Sequence, residues 1–188
     1  MDALLGIFSA FGLSASAGLN AYIPLLVVGV IAHYTNLIKL NPPYDVLANP
    51  YILILIGILL IIEMLADKLP VANHINDLIQ TFVRPVAGAI VFAASTKVVN
   101  INPILALACG LLIAGSVHVV KSAAVRPIVT ATTAGAGNVP VSVAEDVTST
   151  VVSLLSILVP IAIAVLIIIA IVFLLWWWAR RTSKKETA

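Results

Sequence analysis

Residues 51–66, YILILIGILLIIEMLA, run through a stretch in which Glu63 is the one charged side chain. As a helix at 1.5 Å per residue, such a run covers most of a hydrocarbon core of about 30 Å. Comparable apolar runs follow along the chain, and an ionisable group inside one is costly enough to be treated as a functional candidate. The hydrophobic fraction is 62% and the charged fraction 10%. Soluble domains sit near a half and a quarter. In lipid every backbone polar group must be satisfied internally, which leaves helices for runs of this kind. The expectation is an all-α membrane protein whose main partner is the lipid bilayer.

The pattern predicts about five transmembrane helices: Ala3 to Ala32, Tyr51 to Ala66, Arg84 to Val99, Ile104 to Lys121 and Val143 to Trp178. The last is longer than one crossing needs, and there are six spans if it breaks at Pro160. In the first, Asn20 and Pro24 interrupt the apolar stretch GLNAYIP and mark a helix break. The N-terminal run is read as a retained span, because Asp2 stands where a signal peptide carries positive charge. Residues 71–83 place Val71, Ile75, Leu78, Ile79 and Phe82 on one helical side, with His74, Asp77, Gln80 and Thr81 on the other. They read as a short amphipathic or re-entrant helix ending at Arg84-Pro85. Residues 123–141 read as a connector, and Ser142–Glu145 as a capping box opening the last helix. Two rows of small residues, Ala10-Ser14-Gly18 and Ala106-Gly110-Ala114-His118-Ser122, suit close helix packing and a homo-oligomer built through those faces.

Residues 1–178 form one polytopic domain, and 179–188 a basic tail holding Arg180, Arg181, Lys184 and Lys185. Trp176-Trp177-Trp178 before that tail is an interfacial belt with a basic flank. The positive-inside rule then makes the C-terminus cytoplasmic, with Lys39 and Lys97 on the same side and the N-terminus opposite. The net charge of +2 resides in the tail, which excludes a basic nucleic-acid surface. A lone Cys109 leaves no disulfide or zinc-cysteine framework, and neither a metal site nor a cofactor is expected.

Two spans separate the stretch from Glu63 to Arg84 from the stretch from His118 to Asp146, so both fall on one membrane face. Glu63, Asp67, Lys68, Asp77 and Arg84 are thereby brought toward His118, Lys121, Arg126, Glu145 and Asp146 as candidate ligand- or ion-binding residues. Glu63 and Asp67 are one turn apart, where like charges repel unless a proton, a cation or a basic residue intervenes. No catalytic constellation is present, so enzymatic activity is not expected.

At GLNAYIP, EMLADKLPVANHINDLIQTFVRPVAGA and SVAEDV the chain resembles a family of small bacterial integral-membrane proteins known as a domain of unknown function, number 4126. The resemblance covers the chain to about residue 160. It implies residence in a bacterial plasma (inner) membrane and no particular activity. A small transporter or channel for an ion, a proton or an anionic head group ranks first. A structural or assembly subunit ranks second, and a membrane-embedded enzyme third.

Overall fold

The computed structural model describes residues 2–67, 70–96, 101–159, 165, 168–173 and 176. Every secondary-structure element among the described residues is helical: α1 (Asp2–Leu19), α2 (Tyr22–Tyr34), a 3₁₀ turn (Tyr44–Ala48), α3 (Pro50–Ala66), α4 (Pro70–Thr96), α5 (Pro103–Val120), a π-turn (Lys121–Val125), α6 (Arg126–Thr133) and α7 (Asn138–Leu158). Residues 78–96, 103–133 and 138–158 are long and apolar enough to cross a membrane, and α1, α2 and α3 are shorter apolar helices.

The expected first span is two helices. Asn20 Oδ1 accepts the N–H groups of Tyr22 at 3.1 Å and Ile23 at 3.2 Å, so this side chain opens α2. Pro24 lies within the first turn of α2, where its missing N–H is tolerated. The break therefore belongs to Asn20, and Pro24 produces no kink of its own. Beyond α2, Leu37, Ile38 and Lys39 line a cavity of about 170 Å³ together with Gly6 and Ser9 from α1. The chain has thus turned back on itself. α1 begins at the end of the bundle that holds Lys39, not at the opposite end as expected from a single span. Ala94 and Ser95 of α4 and Ile157 of α7 line the same cavity. Asn20, Asp67 and α6 mark the other end.

The amphipathic stretch 71–83 is helical, and it continues without a break through Arg84-Pro85 into the 27 residues of α4. Pro85 removes one N–H from the helical ladder, a loss tolerated where neighbouring helices cover the backbone. Residues 123–141, expected as a connector, are mostly helical too. α6 ends at Ala134 (φ 50°) and Gly135 (φ 88°), and α7 begins at Asn138. Ser142 and Glu145 consequently lie inside α7, and the expected capping box does not form. α7 stops at Leu158, with Val159 non-helical as the residue before a proline tends to be. Pro160, Lys68, Lys97, Trp177, Trp178 and the tail residues Arg180, Arg181, Lys184 and Lys185 lie outside the described residues.

Between helices in lipid, close packing and polar contacts replace the hydrophobic drive. α5 buries Ala106, Gly110, Ala114 and His118, the predicted row, while Lys121 in the π-turn takes the buried place expected of Ser122. A methyl group on Gly88 would strike Ala114 and the Gly110 carbonyl, and one on Gly18 would strike Ala114 and Val117. Ser14 Oγ donates to the Gly88 carbonyl at 2.9 Å. Both small-residue rows thus face helices of the same chain.

α7 reverses the pattern of a soluble helix. Its buried side chains are Ser142, Asp146, Ser149, Ser153 and Ser156, while Val143, Val147, Val151, Leu154 and Leu158 are exposed. Ser16 of α1 meets Ser149 Oγ at 2.7 Å and Ser153 Oγ at 2.6 Å. On α3, by contrast, Ile56 and Glu63 are the buried residues, and most of the helix faces outward. A charged side chain is therefore one of the two anchors of α3.

Candidate functional site

At the Asn20 end, side chains from α4, α6, α7 and the π-turn converge on Asp67, one residue beyond α3. Its Oδ2 lies 2.9 Å from Arg126 Nη2, and 3.9 Å from both Lys121 Nζ and Arg84 Nη2. Ser142 Oγ donates to the same oxygen at 3.3 Å, and Asn76 Nδ2 donates to Oδ1 at 2.6 Å. Burial opposes ionisation of Asp67, but Arg126, Lys121 and Arg84 outweigh it, aided by the Asn76 hydrogen bond. The carboxyl is held below the usual aspartate range.

The π-turn explains how Lys121 and Arg126 both reach Asp67. In an α-helix, residues five apart project about 140° from one another. In a π-turn the i→i+5 bond stacks them on one side, and such turns recur at functional sites. Here the N–H of Arg126 bonds to the carbonyl of Lys121. Lys121 Nζ also sits 2.6 Å from Glu145 Oε2 and donates to the carbonyl of Leu19, the last residue of α1, at 3.1 Å. An ammonium there complements the negative end of a helix.

Arg84 is the second hub and is 1% exposed. Its Nη2 donates to Glu63 Oε1 at 2.9 Å, and its Nη1 lies 3.2 Å from His118 Nδ1. A guanidinium only donates, so His118 Nδ1 must accept and the ring proton sits on Nε2, 3.2 Å from Thr81 Oγ1. The contact with Glu63 is one leg of a side-on fork. The other leg, Arg84 Nε to Glu63 Oε2, is not made: both atoms are buried without a hydrogen-bond partner, as is Gln80 Oε1. Asn20, whose carbonyl oxygen opens α2, donates through Nδ2 to Asp146 Oδ1 at 2.9 Å, tying the helix break to α7.

Of the predicted residues, Glu63, Asp67, Arg84, His118, Lys121, Arg126 and Glu145 thus lie in one linked cluster, and Asp146 binds Asn20 beside it, next to the Leu19 carbonyl that Lys121 holds. Lys68 lies outside the described residues, and for Asp77 and His74 the helical backbone of α4 is described but not the side chains. His33 stands apart, its Nδ1 2.7 Å from the carbonyl of Ala48. Asn76, Gln80, Thr81 and Ser142 were not singled out as site residues. The signal was there for two of them: Gln80 and Thr81 precede Arg84 by four and three residues, on the polar side of the amphipathic pattern.

Fold and site together define an all-α membrane protein with a buried ionic cluster at one end of its bundle. No curated protein and no solved structure matches the chain. A family model described as Domain of unknown function (DUF4126) matches residues 7–180, and the chain belongs to that family. The match continues past residue 160, so the terminal apolar stretch and Trp176–Trp178 fall within it.

Proposed function

We propose that the chain is a small transporter or channel of a bacterial plasma membrane, with the ionic cluster as the site where its ion binds. The observation that carries this reading is the burial of Glu63, Arg84, Asp67 and Lys121 together, with Asp67 bridging Arg84, Lys121 and Arg126, beside a helix break. Ion pairs of this kind stabilise a fold little, and buried polar atoms left bare cost stability, so packing alone is a weak reason to hold them. Broken helices meeting at charged groups are also a common way for transporters to build a site. The orientation rests on charge: Arg84, Lys121 and Arg126 are neutralised within the cluster, while Lys39 is exposed at the other end. That end is the cytoplasmic one in our reading, and the cluster lies toward the outside.

Complete pairing around Asp67 favours the competing reading, a structural or assembly subunit. Flux separates the two. Purified protein in proteoliposomes should carry protons, a monovalent cation or inorganic phosphate down an imposed gradient, and Glu63→Gln should slow that flux at least about tenfold, as expected when a buried hydrogen-bonded charge pair is broken. Absence of flux for all three in the wild type would sink the transport reading.

A further inference from the structure

We infer that Glu63 is a proton-binding site, and that the proton it takes up passes Arg84 to Asp67 and loosens α3 around Glu63. The inference rests on the transport reading for its use but not for its chemistry.

Glu63 Oε2 is buried with no hydrogen-bond partner, and Glu63 as a whole is 2% exposed. It is sealed from solvent, so neither a water molecule nor a hydrated cation reaches it as the helices stand. The guanidinium edge beside it carries a bare donor, Arg84 Nε, which repels a metal ion. The ligand that needs no space is a proton. Bound to Oε2, it turns a bare acceptor into a hydroxyl donor. Gln80 Oε1, also buried and bare, offers an acceptor one turn before Arg84 on the same face of α4.

Arg84 has a second carboxylate ready when Glu63 becomes neutral, since its Nη2 already lies 3.9 Å from Asp67 Oδ2. Its Nη1 contact with His118 holds it in place between the two acids. The groups facing Glu63 are Tyr22 on α2, Asp67 beyond α3, Arg84 on α4 and Lys121 in the π-turn, with His118 on α5 behind Arg84. The step is a simple exchange. One proton leaves the aqueous side for Oε2, the Glu63–Arg84 ion pair opens, and Arg84 closes on Asp67; deprotonation returns the proton to water and reverses the motion. Because Glu63 is one of two buried anchors on α3, opening this pair loosens the helix around Glu63, while Asp67, bonded to Asn76, Arg126 and Ser142, keeps its end tied.

Two measurements on the full-length protein in lipid test this. The first is infrared difference spectroscopy with ¹³C-labelled glutamate, on stepwise acidification from an alkaline starting point. It should show a glutamic-acid carbonyl band that shifts with the label and vanishes in Glu63→Gln. The second is a spin-label distance between Ile62 and Phe82, both exposed. It should broaden with the same midpoint as the band, and Glu63→Gln should give the low-pH distribution at every pH. A wild-type protein without a label-sensitive band overturns the proton site, whether or not the variant folds. A band with an unchanged α3–α4 distance overturns the loosening. Flux without the band sinks this inference and spares the transport reading, and the band without flux does the reverse.

Discussion

Asp67 shows how far a single residue decides the chemistry of this cluster. Its oxygens take Asn76, Ser142 and Arg126 directly, with Lys121 and Arg84 at 3.9 Å. In Asp67→Asn the shape persists, but Arg126 and Lys121 stay buried without their shared anion, a loss of about 3–5 kcal/mol by the usual cost of breaking a buried pair. Thermal unfolding in detergent should register that loss, and adding Arg126→Gln should return part of it, since contacting residues do not add. The pH dependence has a fixed sign. A carboxyl held below its ordinary range stabilises the folded state fully above about pH 4 and loses that contribution as pH falls through the folded value. Wild-type stability should therefore drop on acidification below about pH 4, and the Asn variant should drop less; parallel curves would remove Asp67 as the hub. The sequence placed these charges on one face because two spans separate them. It could not rank Asp67 above Glu63 as the hub, since that depends on a π-turn five residues long, and nothing in KSAAV announces one.

Whole helices depend on the same small contacts. Gly110 lies where a methyl group would strike the Gly88 carbonyl, the Phe92 side chain and the Ala89 backbone, while Gly57 on α3 has open space around it. Gly110→Ala should force α4 and α5 apart and cost about 1–3 kcal/mol as overpacking does. Gly57→Ala should be neutral or stabilising by up to about 1 kcal/mol, through helix propensity alone. Equal effects on melting temperature would show that α4 and α5 are less tightly joined than the structure has them. The α5 row was legible because spacing by four marks one face of any helix. The run of α4 through Pro85 was not, because a proline after an amphipathic stretch reads as a boundary until neighbouring helices are known to cover it. The inward-facing serines of α7 were hidden too: a helix bathed in lipid turns its polar side inward, and only the partner, Ser16, shows which side that is.

At the scale of the molecule, one asparagine changes the topology. A single first span would place Asp2 and Lys39 at opposite ends; the turn at Asn20 places them at the same end, because α2 runs back along α1 to the cavity shared by Gly6, Ser9 and Lys39. The sequence flagged Asn20 and Pro24 as an interruption, yet a kink and a reversal begin with the same residues. The difference lies in Asn20 bonding both to the α2 amides and to Asp146. Cysteine labelling separates the alternatives. With Cys109 replaced by serine, single cysteines at Asp2, Asn36 and Gly135 are exposed in turn to an impermeant maleimide in sealed, oriented vesicles. The hairpin predicts that positions 2 and 36 label from one side and 135 from the other. If position 2 labels with 135, α1 and α2 form one continuous crossing. In that case Gly6 and Ser9 of α1 would be carried away from the cavity at the Lys39 end, and Asn20 would sit mid-membrane instead of beside Asp146 at the mouth of the cluster. The labelling pattern therefore tests the fold and the siting of the ionic cluster together.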